Sequence, residues 1–153
     1  TESGYGQRVH EAIREHRLDR RIILLGQIGT RQVMEELSQA AVFALVSLEE
    51  NSPMGIEEAM AAGVPVLTSN RCGMPYMVRD GESGFLVSPM DVHDIAGRLE
   101  QLLCDQSLRQ SMGEHGRKIA LDRFHPMRVA ARTRSVYYDA VHRLLNRPSG
   151  HMK

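Results

Sequence analysis

The stretch Ser47-Leu48-Glu49-Glu50-Asn51-Ser52-Pro53-Met54-Gly55-Ile56-Glu57-Glu58-Ala59-Met60-Ala61-Ala62-Gly63-Val64-Pro65-Val66 decides how this chain is read. It follows the apolar run Val42 to Val46 and starts as a polar turn. A short helix is entered near Pro53 or Met54, Gly63 stops it, and a new strand opens at Val64. In an open parallel sheet such a turn lies just beyond the carboxyl end of its strand, where ligands bind. Asn51, Ser52 and the backbone N–H groups of Met54, Gly55 and Ile56 are expected at the positive end of the helix dipole, a seat suited to phosphate. Glu50 and Glu58 flank that seat. An ionised carboxylate accepts two vicinal hydroxyls at once, so two carboxylates can hold two sets of hydroxyls, such as those of a sugar and a ribose. Gly55 admits close backbone approach, and Ala59, Ala61 and Ala62 let the helix pack tightly on a sheet. The same glutamates, with Glu49 and Glu57, also fit a plainer role, solvating an exposed turn and favouring the helix start. Spacing alone leaves both open.

Strand and helix alternate on both sides of this stretch. Thr1 to Gly6 reads as a loop, and Gln7 to Arg17 carries Val9, Ala12, Ile13 and His16 at helical spacing, which predicts one buried face. Ile22 to Leu25 is apolar without alternation, as expected of a strand covered on both faces, and Gly26 to Gly29 turns beyond it. Thr30 is an N-cap candidate for a helix with Val33, Met34, Leu37 and Ala41 inward. After the strand Val64 to Leu67 come a loop (Thr68 to Gly73), a short helix (Met74 to Arg79), a turn (Asp80 to Gly84) and a brief strand (Phe85 to Val87). The rhythm predicts an α/β fold with a parallel sheet and crossover helices. Three helices follow. Asp91 caps the first, which has Asp94 in its first turn and Ile95, Leu99, Leu102 and Leu103 inward. Leu108, Met112 and Ile119 form the buried face of the second. Pro126 opens the third, whose stripe is Val129, Val136, Ala140 and Leu144, with Tyr137 and Val141 beside it.

A chain of 153 residues, 42% hydrophobic and 25% charged, suits one soluble domain that buries about two-thirds of its unfolded surface. Equal numbers of basic and acidic residues, 19 each, give no electrostatic case for a nucleic-acid partner. No apolar run approaches the roughly 20 residues of a membrane span, and no signal peptide is visible. Cys72 and Cys104 read as free thiols of a reducing compartment. The seven histidines form no ligand spacing with a carboxylate or thiol, so no metal is expected, and the nine scattered methionines fill gaps in a core poor in aromatics. Arg71 is placed to approach a phosphate, although a solvated loop arginine explains it more simply. The chain starts at Thr1 rather than Met, which fits a fragment or a processed product.

Glu50 and Glu58, with seven residues between them and Ala-Met-Ala-Ala-Gly-Val-Pro-Val after the second, resemble the signature of the retaining GT-B glycosyltransferases. Asp19-Arg20-Arg21-Ile22-Ile23-Leu24-Leu25-Gly26 upstream, and Gly73-Met74-Pro75 and Asp80-Gly81-Glu82-Ser83-Gly84-Phe85-Leu86-Val87 downstream, resemble further landmarks of that family in the expected order. The resemblance runs from about Gly4 to Leu145, and the combination is more specific than any one piece. It implies the C-terminal, Rossmann-like half of a GT-B fold, a partial nucleotide-sugar-binding domain over 1–145 with a flexible tail over 146–153. The family's first two strands, whose Arg and Lys clamp the diphosphate, have no counterpart before Gly4. The sheet is therefore expected to have a gap between Ile22 to Leu25 and Val42 to Val46, leaving repacking, self-association or marginal stability open.

Carried over residue by residue, the resemblance makes Glu50 the catalytic carboxylate that contacts the transferred sugar and Glu58 the one that binds ribose hydroxyls. It makes Asn51, Ser52, Met54, Gly55 and Ile56 donors to sugar and phosphate, and Gly26, Gln27 and Ile28 the border of the nucleobase. It implies transfer of a hexose from an NDP-sugar to a glycan, lipid or small-molecule acceptor, with retention, no obligatory metal and no other cofactor. The partners implied are the sugar-nucleotide donor and an N-terminal acceptor domain, to which the last helix crosses back, so an exposed Tyr138 or Leu145 would mark that domain's place. A cytoplasmic setting, peripheral at the inner membrane through the other domain, goes with this reading, and no turnover is expected from the isolated chain. Two departures stand out: Asn-Ser-Pro-Met replaces the commoner Gly-Phe-Gly turn after Glu50, and Tyr76 stands where an acidic residue usually follows Pro75. The alternatives are a non-catalytic nucleotide-binding or assembly module and a GT-B sugar-nucleotide epimerase.

Overall fold

The computed structural model describes residues 4–146, and the chain divides into two compact units, Thr1–Val33 and Met34–Lys153. In the first unit, helix α1 (Gly4–Glu15) begins earlier than the glycines at its start suggest. Val9 and Ile13 are half-buried, His16 is exposed, and no residue of α1 is fully buried, so the expected buried face is only partly realised. Tyr5 lies 71% exposed, with the Arg8 guanidinium over its ring. The expected strand Ile22 to Leu25 does not form. Residues 22–25 are irregular and exposed, Ile23 by 80%. A parallel strand exists only through its neighbours' hydrogen bonds, and the ladders among the described residues join three other strands. Here the backbone folds on itself instead, the amides of Arg21 and Ile22 both donating to the Leu18 carbonyl. Helix α2 (Thr30–Gln39) follows. Leu37 is buried, but Met34 and Ala41 of the expected stripe are exposed.

The second unit is built on a parallel sheet of β1 (Phe43–Leu45), β2 (Val66–Ser69) and β3 (Gly84–Val87), in that spatial order. Phe43 pairs with Val66, and Val66 with Gly84. Every residue of β2 is buried, as a central parallel strand covered on both faces must be. Its two buried hydroxyls are both satisfied: Thr68 donates to the Leu45 carbonyl at 2.7 Å, and Ser69 accepts from the Arg71 amide at 3.2 Å. Alternation along the strands sorts the side chains. Val42, Val46 and Leu67 join Phe85, Val87, Leu102 and Met112 in one apolar cluster, whereas the Phe43 ring packs against Gly55 of helix α3 (Met54–Ala62). α3 starts at Pro53 and ends on Gly63 in the left-handed conformation, φ 78°. The expected helix Met74 to Arg79 is reduced to a single 3-10 turn, Met74–Tyr76, with Pro75 near its start. Strand β1 pairs only with β2 among the described residues, which leaves its other edge open where the gap was expected.

Asp91 caps α4 (Val92–Cys104) by accepting from the amides of His93 and Asp94, and Asp105 caps α5 (Gln106–Arg123) through Leu108. Of the residues expected inward on α4, Leu102 is fully buried and Ile95 and Leu99 pack against the core half-buried, but Leu103 is 58% exposed. α5 contributes Met112 to the core, while an alanine β-carbon at Gly113 would overlap the Gly63 carbonyl, the closeness with which α5 meets the end of α3. The last helix, α6 (Pro126–Leu145), carries its apolar stripe but buries none of it: Val136, Tyr137, Tyr138 and Leu144 are all exposed. Arg132 ties α6 to α5 by donating to the carbonyls of Asp122 and Arg123. The tail expected to be flexible lies, beyond Asn146, outside the described residues. Among the described residues no helix is long and apolar enough to cross a membrane.

Candidate functional site

The polar turn after β1 delivers residues 47–53 to the start of α3. Pro53 has no side chain able to cap, so the helix begins uncapped. The Ile56 amide donates to the Pro53 carbonyl at 3.0 Å, and its side chain is fully buried. That removes Ile56 from the expected set of free donors. The amides of Met54 and Gly55 remain, with no hydrogen bond to any described residue. Ser52 is also partly committed, its hydroxyl donating to the Glu57 carboxylate at 3.1 Å. The four glutamates of the stretch thus divide. Glu57 holds the turn to the helix, whereas the carboxylates of Glu49, Glu50 and Glu58 make no hydrogen bond or ion pair among the described residues.

Glu50 and Glu58 are both half-buried but line different hollows. Glu50 and Asn51 share a shallow cavity of about 330 Å³ with Glu49 and Cys72. Glu58 borders an apolar one of about 230 Å³, with Glu57 and Ala61 of α3 on one side and Phe124, His125 and Pro126 on the other. The start of α3 leads from the first to the second. Gly26, Gln27 and Ile28 belong to the first unit, where Gly26 has φ 64° and Ile28 is half-buried.

The loop expected over Thr68 to Gly73 completes the first cavity through Cys72, and its contact with the Glu50 turn has no local signature in the sequence. The Gly73 amide donates to the Glu50 carbonyl at 2.9 Å, and the Cys72 thiol lies 4.0 Å from the Leu48 carbonyl. Cys72 adopts φ 51°, a left-handed conformation uncommon for a residue with a β-carbon. Tyr76, at the end of this loop, projects its ring into solvent, 77% exposed, while its carbonyl accepts from Arg123 of α5. Arg71 makes no side-chain hydrogen bond or ion pair with a described residue. Among the described residues no group of three or more His, Cys, Asp or Glu could hold a metal.

Residues 2–119 match the family described as glycosyl transferases group 1. The chain belongs to that family. Over 131 residues it is 28% identical to the N-acetyl-alpha-D-glucosaminyl L-malate synthase of Bacillus anthracis, covering 86% of this chain and 34% of that protein. The structure superposes on the sucrose-phosphate synthase of Thermosynechococcus elongatus with a TM-score of 0.82 and 27% identity, over 89% of this chain and 34% of the other. HepE of Anabaena, solved in complex with UDP-glucose, matches in fold with a TM-score of 0.82 at 22% identity, over 88% of this chain and 37% of the other. The fold is that of GT-B glycosyltransferases, and the chain spans about a third of the length of these relatives.

Proposed function

We propose that this chain is the donor-binding part of a retaining glycosyltransferase that transfers a hexose from an NDP-sugar to an acceptor held by another domain. One observation carries the reading: the uncapped start of α3, with the Met54 and Gly55 amides free, runs between two hollows that each present an unpaired carboxylate. A sugar nucleotide is extended and has hydroxyls at both ends of a diphosphate. Glu58 takes the ribose hydroxyls, Glu50 and Asn51 the transferred sugar, and the helix amides the diphosphate between them. In transfer, the bond between the anomeric carbon and the diphosphate oxygen breaks, a bond to the acceptor oxygen forms on the same face, and the acceptor's hydroxyl proton passes to the departing diphosphate. The amides offset charge growing on the leaving diphosphate, an electrostatic role that needs no metal. The roles of Gly26, Gln27 and Ile28 at the base rest on the sequence resemblance.

The test is a calorimetric titration of UDP, GDP and ADP into the chain, with Glu58→Ala in parallel. Loss of charge-assisted hydrogen bonds to the ribose should weaken the preferred nucleotide roughly 10- to 100-fold. Unchanged affinity in Glu58→Ala sinks the ribose assignment, and binding that survives chelation supports a metal-free site. The unburied stripe of α6 favours one second reading, an assembly module. Stable self-association without nucleotide binding would select it, and sugar transfer to an acceptor by the protein joined to its acceptor domain would exclude an epimerase.

A further inference from the structure

We propose that Gly73 is a positioning residue for Glu50, and that the segment Arg71 to Gly73 is the mould on which the Glu50–Asn51 turn is set. The inference rests on the reading of Glu50 as the carboxylate that meets the transferred sugar. Among the described residues, the tertiary hydrogen bonds to the backbone of residues 48–52 come from this segment alone: Gly73 N–H to the Glu50 carbonyl and the Cys72 thiol to the Leu48 carbonyl. The contact admits no side chain. An alanine β-carbon at Gly73 would overlap the carbonyl of Asn51 and stand 3.0 Å from its Cα. Both neighbours there are backbone, so the turn itself would have to move.

The mould is held from behind. Cys72 keeps its left-handed φ, and such strain persists only where the surroundings fix it. The fully buried Met74 packs its sulfur 3.0 Å from the buried Thr68 oxygen, whose proton goes to the Leu45 carbonyl, and this contact joins the loop to β2. At the far end, Arg123 Nη1 donates to the Tyr76 carbonyl at 2.5 Å. The loop is therefore anchored to the sheet and to α5, while the turn it carries is otherwise tied only by the exposed Ser52 hydroxyl to Glu57 of α3. A displacement of the turn moves Glu50 and Asn51 together and leaves Glu58, on the body of α3, in place.

That difference supplies the test. UDP-glucose and UDP are titrated into the parent chain, Gly73→Ala, and Gly97→Ala, a control whose new β-carbon meets nothing within 4 Å. Loss of a charge-assisted hydrogen bond to the sugar weakens binding roughly tenfold or more, so Gly73→Ala should weaken UDP-glucose by about tenfold or more and UDP by less than about twofold. Gly97→Ala should change neither. Arg123→Gln frees the loop's far end without intruding on the turn, and should lower the UDP-glucose to UDP affinity ratio in the same direction by a smaller factor; it decides the matter if Gly73→Ala does not fold. Equal losses for both ligands, or an unchanged ratio in the folded variants, overturn the positioning role while leaving the donor reading intact. If the parent chain prefers GDP or ADP, the same comparison is made with that nucleotide and its glucose derivative; a parent chain that takes up none of the three overturns the donor reading and this inference with it.

Discussion

Leu102 and Leu103 are neighbours on α4, and replacing each by alanine separates what the helix buries from what it shows. Leu102 is fully buried in the cluster with Leu67, Phe85, Val87 and Met112, while Leu103 is 58% exposed. Truncating Leu102 removes three buried carbons, worth about 2.4 kcal/mol at ~0.8 kcal/mol each, and leaves a cavity that brings the cost to about 3 kcal/mol or more. Leu103 loses less than half as much apolar burial, so its cost should stay below about 1 kcal/mol. Arg109 donates to the backbone carbonyls of both residues, so neither substitution removes those bonds. At about 4 °C per kcal/mol for a chain of this size, Leu102→Ala should lower Tm by roughly 10 °C and Leu103→Ala by no more than about 4 °C. Thermal unfolding followed by far-ultraviolet circular dichroism measures both. Equal shifts would refute the burial assigned to α4, and with it the packing of α4 on β2 and β3.

Two further substitutions probe the backbone. Cys72→Gly relieves the left-handed φ and should raise stability by roughly 0.5–1 kcal/mol; a loss in chemical denaturation would mean that the thiol contributes more than the strain costs. Asp91→Ala removes the acceptor for two amides at the start of α4 and should cost about 1 kcal/mol, with Asp91→Asn recovering most of it; an undiminished Tm in Asp91→Ala would show the cap to be idle.

What could be read in the sequence was mainly what is local. Pro53, Gly63, Asp91 and Pro126 mark helix ends through their own backbone or side-chain chemistry, and the structure places α3, α4 and α6 accordingly. Leu102 and Leu103 sit about 100° apart on a helical wheel, so one apolar stripe cannot centre on both, and periodicity alone does not say which is deeper. Ile22 to Leu25 has a strand's composition, but pairing is a property of neighbours, and its residues stay exposed. The carboxylates on the Glu50 to Glu58 stretch were legible as a group. Their division was not: the Ser52 hydrogen bond engages Glu57, and only the folded geometry shows which glutamates remain unpaired. Gly73 reads locally as an ordinary turn residue, whereas its tight contact is with Asn51, more than twenty positions earlier in the chain.

The aromatic content has a consequence for spectroscopy. The chain has no tryptophan, and its four tyrosines, Tyr5, Tyr76, Tyr137 and Tyr138, are each between 66% and 77% exposed. Unfolding moves none of these phenols from an apolar interior into water, so their emission is a nearly silent reporter of denaturation. The same silence makes a sensitive background. Three of the four lie at the end of the Gly73 loop or on α6, so a change in tyrosine emission on adding a nucleotide or a second domain signals contact at those surfaces rather than a change in the core.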